Sequence, residues 1–184
     1  ELTRLTGAVA AFKKAKIFID PTGGITIAEL RAKARRLKMK ENIDVIVIDY
    51  LQLMHADGRV DSRQQEVAEI SGGIKKLAKD LKVPVLVLAQ LNREVDKTAG
   101  AGARPKLAHL RESGTIEQDA DIVTFLHRNR EDAKEVSSPN QSVEAEWIIE
   151  KNRNGRTGNL KLLFFPSRME FLPAAPYSEE DCPK

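Results

Sequence analysis

The sequence predicts an α/β fold: a mainly parallel sheet flanked by helices, with an antiparallel hairpin near the C-terminal end. Three observations carry that reading. Residues 45–48 and 83–89 are short β-branched apolar runs without polar alternation, the pattern of strands covered on both faces. Stretches with helical spacing precede each of them. Residues 144–150 and 159–165 are extended runs separated by the turn-rich KNRNGRTG of residues 151–158.

The elements follow in order. Residues 1–14 space Leu2, Leu5, Val9 and Phe12 as one face of a helix. The sequence opens inside this element, and we expect it to be a piece of a longer protein. Residues 17–20 read as a short strand and 21–24 as a turn. Thr26 is placed to cap the next helix, with Glu29 three residues on completing a capping box. That helix gathers Ile27, Leu30, Ala34 and Leu37 on one face. Arg31, Lys33, Arg35, Arg36, Lys38 and Lys40 occupy the others, a basic surface that is either solvated or turned to nucleic acid or a neighbouring subunit.

The run at 44–48 ends in Asp49. A carboxylate at the carboxyl end of such a strand lies where open α/β sheets bind ligands, as in a Walker B segment, or else caps the following turn. Residues 55–63 are polar and aperiodic. Residues 64–81 read as a helix burying Val67, Ile70, Ile74, Leu77 and Leu81. Gly72 and Gly73 inside it cost about 1 kcal/mol each relative to Ala, and would permit close helix–sheet packing. The strand at 83–89 ends in Gln90, so two buried strands finish on a polar side chain and can face one crevice. Gln90 is suited to a phosphate or a water, or is simply a satisfied strand-end amide.

Residues 91–106 read as a loop with basic Arg93, Lys97, Arg104 and Lys106. Its AGAGA run at 99–103 lacks a following Lys-Ser/Thr and is not a phosphate-binding loop. Residues 107–121 look polar and turn-like, 122–126 form a third apolar strand, and 129–142 a polar loop. The hairpin tip presents Lys151, Arg153 and Arg156, which contact phosphate or nothing. Residues 168–172 form a last strand, and 173–184 an acidic tail expected to be disordered. No internal repeat is present.

At 184 residues the chain suits one domain, and 41% hydrophobic with 31% charged residues describes a soluble globular protein. It holds no apolar run of membrane-spanning length and no secretory signal. Cys182 is the single cysteine, which excludes an internal disulfide and fits the cytoplasm. A net charge of +3 and a pI near 9.0 permit a nucleic-acid partner without demanding one. His55, His109 and His127 lack metal-ligand spacing, and no G-x-S-x-G elbow supports a hydrolase triad. What remains is phosphate chemistry, carried by Asp, Gln, Lys and Arg.

Several stretches together resemble the DnaB-type replicative DNA helicases with a RecA-like motor domain. They are IFIDPTGGITIAELRAKARRLK, DVIVIDYLQLM, RQQEVAEISGGIKKLAKDLKVPVLVLAQLNR, LAHLRESGTIEQDADIVTFLHR and IIEKNRNGRTGNLKLLFF. They stand in the family's order and spacing over nearly the whole chain. The resemblance implies that residues 1–172 are part of a RecA-like helicase ATPase domain, incomplete at its N-terminus, with 173–184 as a tail. It implies Asp49 as the Walker B ligand of Mg²⁺ on ATP, and Gln90 as the sensor of the γ-phosphate. Lys151 and Arg153 would reach the neighbouring subunit's ATP, where a trans-acting Arg stabilises charge on the transferring phosphoryl group. Arg111, Glu112 and Gly114 would hold phosphates of single-stranded DNA, Glu112 through its backbone N–H alone.

The implied parent is a homohexameric ring that couples ATP hydrolysis to 5′→3′ movement on single-stranded DNA and to unwinding, with primase and a helicase loader as partners. The family's P-loop and the carboxylate that activates water do not occur in this sequence, and Tyr50 follows Asp49 where many Walker B segments place Glu. The chain alone is therefore expected to hydrolyse ATP weakly or not at all, and to expose apolar surface. A RecA-like recombinase or repair ATPase, and a non-enzymatic DNA-binding or assembly module, are the alternatives.

Overall fold

The computed structural model describes residues 2–91, 104–110, 114–128 and 141–174. The chain divides into two compact units, Glu1–Gln90 and Leu91–Lys184.

The first unit runs α1 (Leu2–Lys14), α2 (Ile27–Glu41), β1 (Ile46–Ile48), a 3-10 turn (Leu51–Leu53), α3 (Arg63–Leu81) and β2 (Val85–Val87). Helix α2 begins where its sequence requires. The Thr26 hydroxyl accepts from the Glu29 N–H at 3.3 Å, and the Glu29 carboxylate accepts from the Thr26 N–H at 3.0 Å. Asn42 ends α2 in the left-handed conformation. Ser62 caps α3, and Lys82 ends it in the same left-handed way.

β1 and β2 pair in parallel, Ile46 with Val85 and Ile48 with Val87. Their coverage is one-sided. Ile48 is buried, whereas Val45, Val47, Leu86 and Leu88 are 54%, 58%, 57% and 45% exposed. The expectation of burial on both faces therefore holds for one face among the described residues. The unit's buried side chains, Ile27, Val67, Ile70, Ile74 and Leu77 among them, serve that face. Residues 17–20 are also not a strand. An apolar run becomes a strand only against a partner edge, and among the described residues none pairs with it. Ile17, Phe18 and Ile19 stand exposed.

Gly73 does permit a close approach, but between helices: a Cβ there would overlap the Ile27 side chain of α2, while Gly72 faces open space. The basic surface of α2 is largely spent inside the unit. Arg31 and Arg35 reach Asp80 of α3 at 3.7 and 3.1 Å. Lys33 meets Asp20 at 2.6 Å, and Lys38 donates to the Ile43 carbonyl at 2.8 Å. With Thr22, Lys33 holds the Asp20 carboxyl down to a pKa of about 2.

The second unit runs through a 3-10 turn (Leu107–Leu110), α4 (Gly114–Asp119), β3 (Ile122–His127), β4 (Val143–Asn152), β5 (Gly158–Phe165) and β6 (Glu170–Pro173). The four strands form an antiparallel sheet in the order β3-β4-β5-β6. The expected hairpin is its centre, and parallel pairing among the described strands is that of β1 and β2. Residues of opposite parity on β4 feed two apolar clusters on opposite faces. Val143 and Ala145 pack with Leu162 and Phe164, and Ile148 with Leu110, Val123 and Phe125.

Residues 107–121 are not simply turn-like, since they contain a 3-10 turn and α4. Six residues are too few to show a helical period. Arg93, Lys97, the 99–103 run, Arg111, Glu112 and Cys182 lie outside the described residues, as does the tail beyond 174. No helix among the described residues is long and apolar enough to cross a membrane.

Candidate functional site

In the first unit the parallel register sends Asp49 and Gln90 out of the same end of the β1–β2 pair. The Leu88 N–H donates to the Ile48 carbonyl and the Leu51 N–H to the Leu88 carbonyl, each at 2.9 Å. These bonds carry the pairing to the threshold of both residues. Both side chains are exposed. Asp49 also makes no hydrogen bond or ion pair among the described residues, so its carboxylate is available to a ligand rather than spent on a cap. The Asp49–Tyr50 peptide bond is cis.

A residue that the sequence reading passed over fixes the Gln90 backbone. The Gln52 side-chain amide donates to the Gln90 carbonyl at 3.0 Å, and its oxygen accepts from the Gln90 N–H at 3.2 Å. Gln52 is in turn held by its own carbonyl, which accepts from Arg63 at 2.9 Å. Arg63 pairs with Glu66, whose other oxygen meets His55 Nδ1 at 3.3 Å and the Ala56 N–H at 3.4 Å. Arg63 foremost, with His55 and the Ala56 N–H, holds the Glu66 carboxyl below the usual carboxylate range, against the opposing effect of burial. The one signal for Gln52 in the sequence was a lone amide inside the otherwise apolar YLQLM that follows Asp49.

In the second unit Lys151 is not at the hairpin tip. β4 runs through Asn152, so Lys151 is a strand residue and Arg153 opens the turn. The register shifts between Val123 and Thr124, with Val123 opposite Lys151 and Thr124 opposite Ile149. Glu150 is therefore an extra residue just ahead of Lys151, and bulges of this kind re-aim the side chains that follow. Both cations seat on the C-terminal end of α4. Lys151 donates to the Glu117 carbonyl, and Arg153 donates to the Gln118 carbonyl at 3.0 Å and to the Asp121 carboxylate at 3.1 Å. The Arg153 N–H also donates to the Asp121 carbonyl at 2.8 Å. Helix ends leave such carbonyls without partners, and cations are favourable there.

Gly114 is the first residue of α4 and is exposed. The structure thus brings Asp49 together with Gln90 in one unit, and Gly114, Lys151 and Arg153 onto α4 in the other. The Asn152 amide closes the turn on the Arg156 carbonyl at 3.3 Å, and a Cβ at Gly155 would press on Asn152. Arg104, expected in a loop, ion-pairs with Glu146 of β4 at 2.5 Å.

The model of the DnaB-like helicase C terminal domain matches residues 1–173. The replicative DNA helicase DnaB of Leifsonia xyli is 45% identical over 174 residues, which is 95% of this chain and 37% of that protein. The replicative DNA helicase DnaB of Geobacillus stearothermophilus is 45% identical over 92% of this chain and 36% of its own length. Among solved structures, one of an isolated ATPase domain aligns with a TM-score of 0.81 at 34% identity, over 95% of this chain and 60% of that one. A DnaB-like replicative helicase, solved in a study of its interactions with primase, aligns with a TM-score of 0.79 at 35% identity, over 93% of this chain and 41% of that one. The chain thus spans little more than a third of the length of these curated relatives. With that match over almost its whole length, the chain belongs to the DnaB-like helicase C-terminal domain family and carries its RecA-like fold.

Proposed function

We propose that the full-length protein is an ATP-dependent replicative DNA helicase, and that this chain supplies part of its motor domain. The observation that carries the reading is the shared end of β1 and β2, where an exposed carboxylate and a backbone-clamped glutamine emerge together. A single carboxylate suits Mg²⁺, which keeps much of its shell as water and phosphate oxygen and needs few protein ligands. Among the described residues no cluster of three His, Cys, Asp or Glu side chains offers a denser metal cage. Asp49 would hold the ion, and Mg²⁺ would supply charge neutralisation at the β- and γ-phosphates of ATP.

Gln90 would then sense the γ-phosphate, its backbone held still by Gln52. Lys151 and Arg153 would reach ATP bound in a neighbouring copy, so that each site is completed by two chains of a homohexameric ring. Arg111, Glu112 and Gly114 would hold the phosphates of single-stranded DNA: Arg111 as a planar donor fork, Gly114 by letting the backbone approach, and Glu112 through its N–H. Loss of the γ-phosphate would shift the interface and move the DNA along the ring in the 5′→3′ direction. The open face formed by Val45, Val47, Leu86 and Leu88 would be covered by another segment of the same domain, one that includes the phosphate-binding loop. Primase and a helicase loader would be partners, and the cytoplasm the setting.

The test is the Arg153→Ala variant of the full-length protein. Its ATPase rate should fall at least about 10³-fold, the value of a trans-acting arginine, while nucleotide binding persists. Undiminished turnover would contradict the trans role.

A further inference from the structure

We propose that Asp121 is a positioning residue for the trans-acting cations, and that α4 is the rigid link through which single-stranded DNA sets them. The inference rests on the roles proposed above for Lys151, Arg153 and the segment ending at Gly114. It goes beyond them in naming the element that joins these roles within one chain.

Helix α4 is six residues long, Gly114–Asp119. Its first residue closes the proposed DNA-contact segment. Its last carbonyls receive Lys151 and Arg153, and Asp121 stands between α4 and β3. A helix this short is not stable by its own hydrogen bonds, so what is bound at either end decides its order. Phosphates drawn to Gly114 would order the first turn, and the two cations complete the last one.

The seat also leaves the cations able to work. A guanidinium has five N–H donors in a fixed fork. Arg153 spends one on the Gln118 carbonyl and one on Asp121, from two different nitrogens. Contact at two nitrogens fixes the plane of the fork while further donors remain for a phosphate. Lys151 points its ammonium at the carbonyls of Glu117 and Gln118, one residue apart. Its three donors likewise exceed that need. The Arg153–Asp121 pair is about half exposed on both sides. Such a pair adds little to stability, and its consequence lies in orientation. DNA that orders α4 would therefore aim the cations, and by reciprocity nucleotide engaged by the cations would tighten the grip on DNA.

The experiment compares Asp121→Asn and Asp121→Glu with the wild type in the full-length protein. It reads steady-state ATPase with saturating oligo-dT, and oligo-dT affinity with a non-hydrolysable ATP analogue. Asp121→Asn should lower the DNA-stimulated kcat about tenfold, the lower value of one hydrogen bond between charged groups, with KM for ATP within about twofold. It should also weaken oligo-dT binding. Removing a negative charge near phosphate would by itself do the opposite, so the sign is diagnostic. Asp121→Glu, which restores the carboxylate, should recover most of the rate. A kcat for Asp121→Asn within about twofold of wild type overturns the proposal. So does an equal loss in both variants with a lowered Tm, which would make Asp121 a structural cap. Normal turnover in Arg153→Ala would instead remove the trans-acting reading itself, which separates the two failures.

Discussion

Replacing Gln52 by Ala removes both hydrogen bonds that fix the Gln90 backbone, at 3.0 and 3.2 Å, and leaves the Gln52 carbonyl on Arg63 in place. Gln90 is exposed, so water can partly replace each bond, and the net value of each is about 0.5–1 kcal/mol. Together they favour the docked strand end by about 1–2 kcal/mol, which is a factor of about 5–30 in its occupancy. If a docked Gln90 is needed at the γ-phosphate, the ATPase kcat of the full-length variant should fall by about that factor. KM for ATP should stay within about twofold, because the lost contact acts on the sensor rather than on ground-state binding. Gln52→Glu keeps the acceptor for the Gln90 N–H and loses the donor, so it should fall between the two. The assay is steady-state hydrolysis across an ATP titration, with single-stranded DNA present. A wild-type kcat in Gln52→Ala would show that the clamp is incidental and that Gln90 does not act from this position.

Three further perturbations probe the scaffold beneath that site, each in the full-length protein. Gly72→Ala should stabilise by up to about 1 kcal/mol through helix propensity, whereas Gly73→Ala should destabilise, because overpacking of about 1–3 kcal/mol against Ile27 opposes the same gain. Denaturant unfolding that shifts both variants in one direction would contradict the α2–α3 contact. Glu66→Gln should cost about 1–2 kcal/mol near neutral pH by weakening bonds to Arg63 and His55. The folded-state pKa of Glu66 is depressed, so its contribution is present above the ordinary carboxylate value of 4.5 and is lost as pH falls through the lower folded value. The Tm gap between wild type and Glu66→Gln should therefore close in acid, and a gap independent of pH would refute the assignment. Thr26→Ala should cost about 1 kcal/mol by removing the hydroxyl that accepts the Glu29 N–H, read as a lowered Tm; an unchanged Tm would mean that the cap adds nothing to the unit.

Much of the fold was legible because local chemistry agreed with it. The Thr26–Glu29 box, the periodicity of α3 and the polar residues closing β1 and β2 each act within a few residues or through burial, and each left a mark in the sequence. What was not legible depends on partners distant in the chain. Residues 17–20 have the composition of a strand but no edge to join among the described residues. Helix α4 is too short for a period, and its C-terminal carbonyls are met by side chains more than thirty residues away. The basic surface of α2 could have faced solvent or phosphate, and only the folded unit shows that Asp80 and Asp20 take up much of it. Gln52 was hidden for a different reason. It works through its neighbour's backbone, and no spacing rule marks a residue of that kind. Lys151 was assigned to a turn because the Glu150 bulge, which carries the strand past it, has no signature in composition.

The central claim is that this family member drives strand separation with a cation supplied in trans. The most direct measurement is ATP-dependent unwinding of a forked duplex by the full-length protein beside its Arg153→Ala variant. The account predicts separation that requires a 5′ single-stranded tail and ATP, and that disappears in the variant. DNA binding without unwinding by the wild type, or unwinding that survives the loss of Arg153, would contradict it.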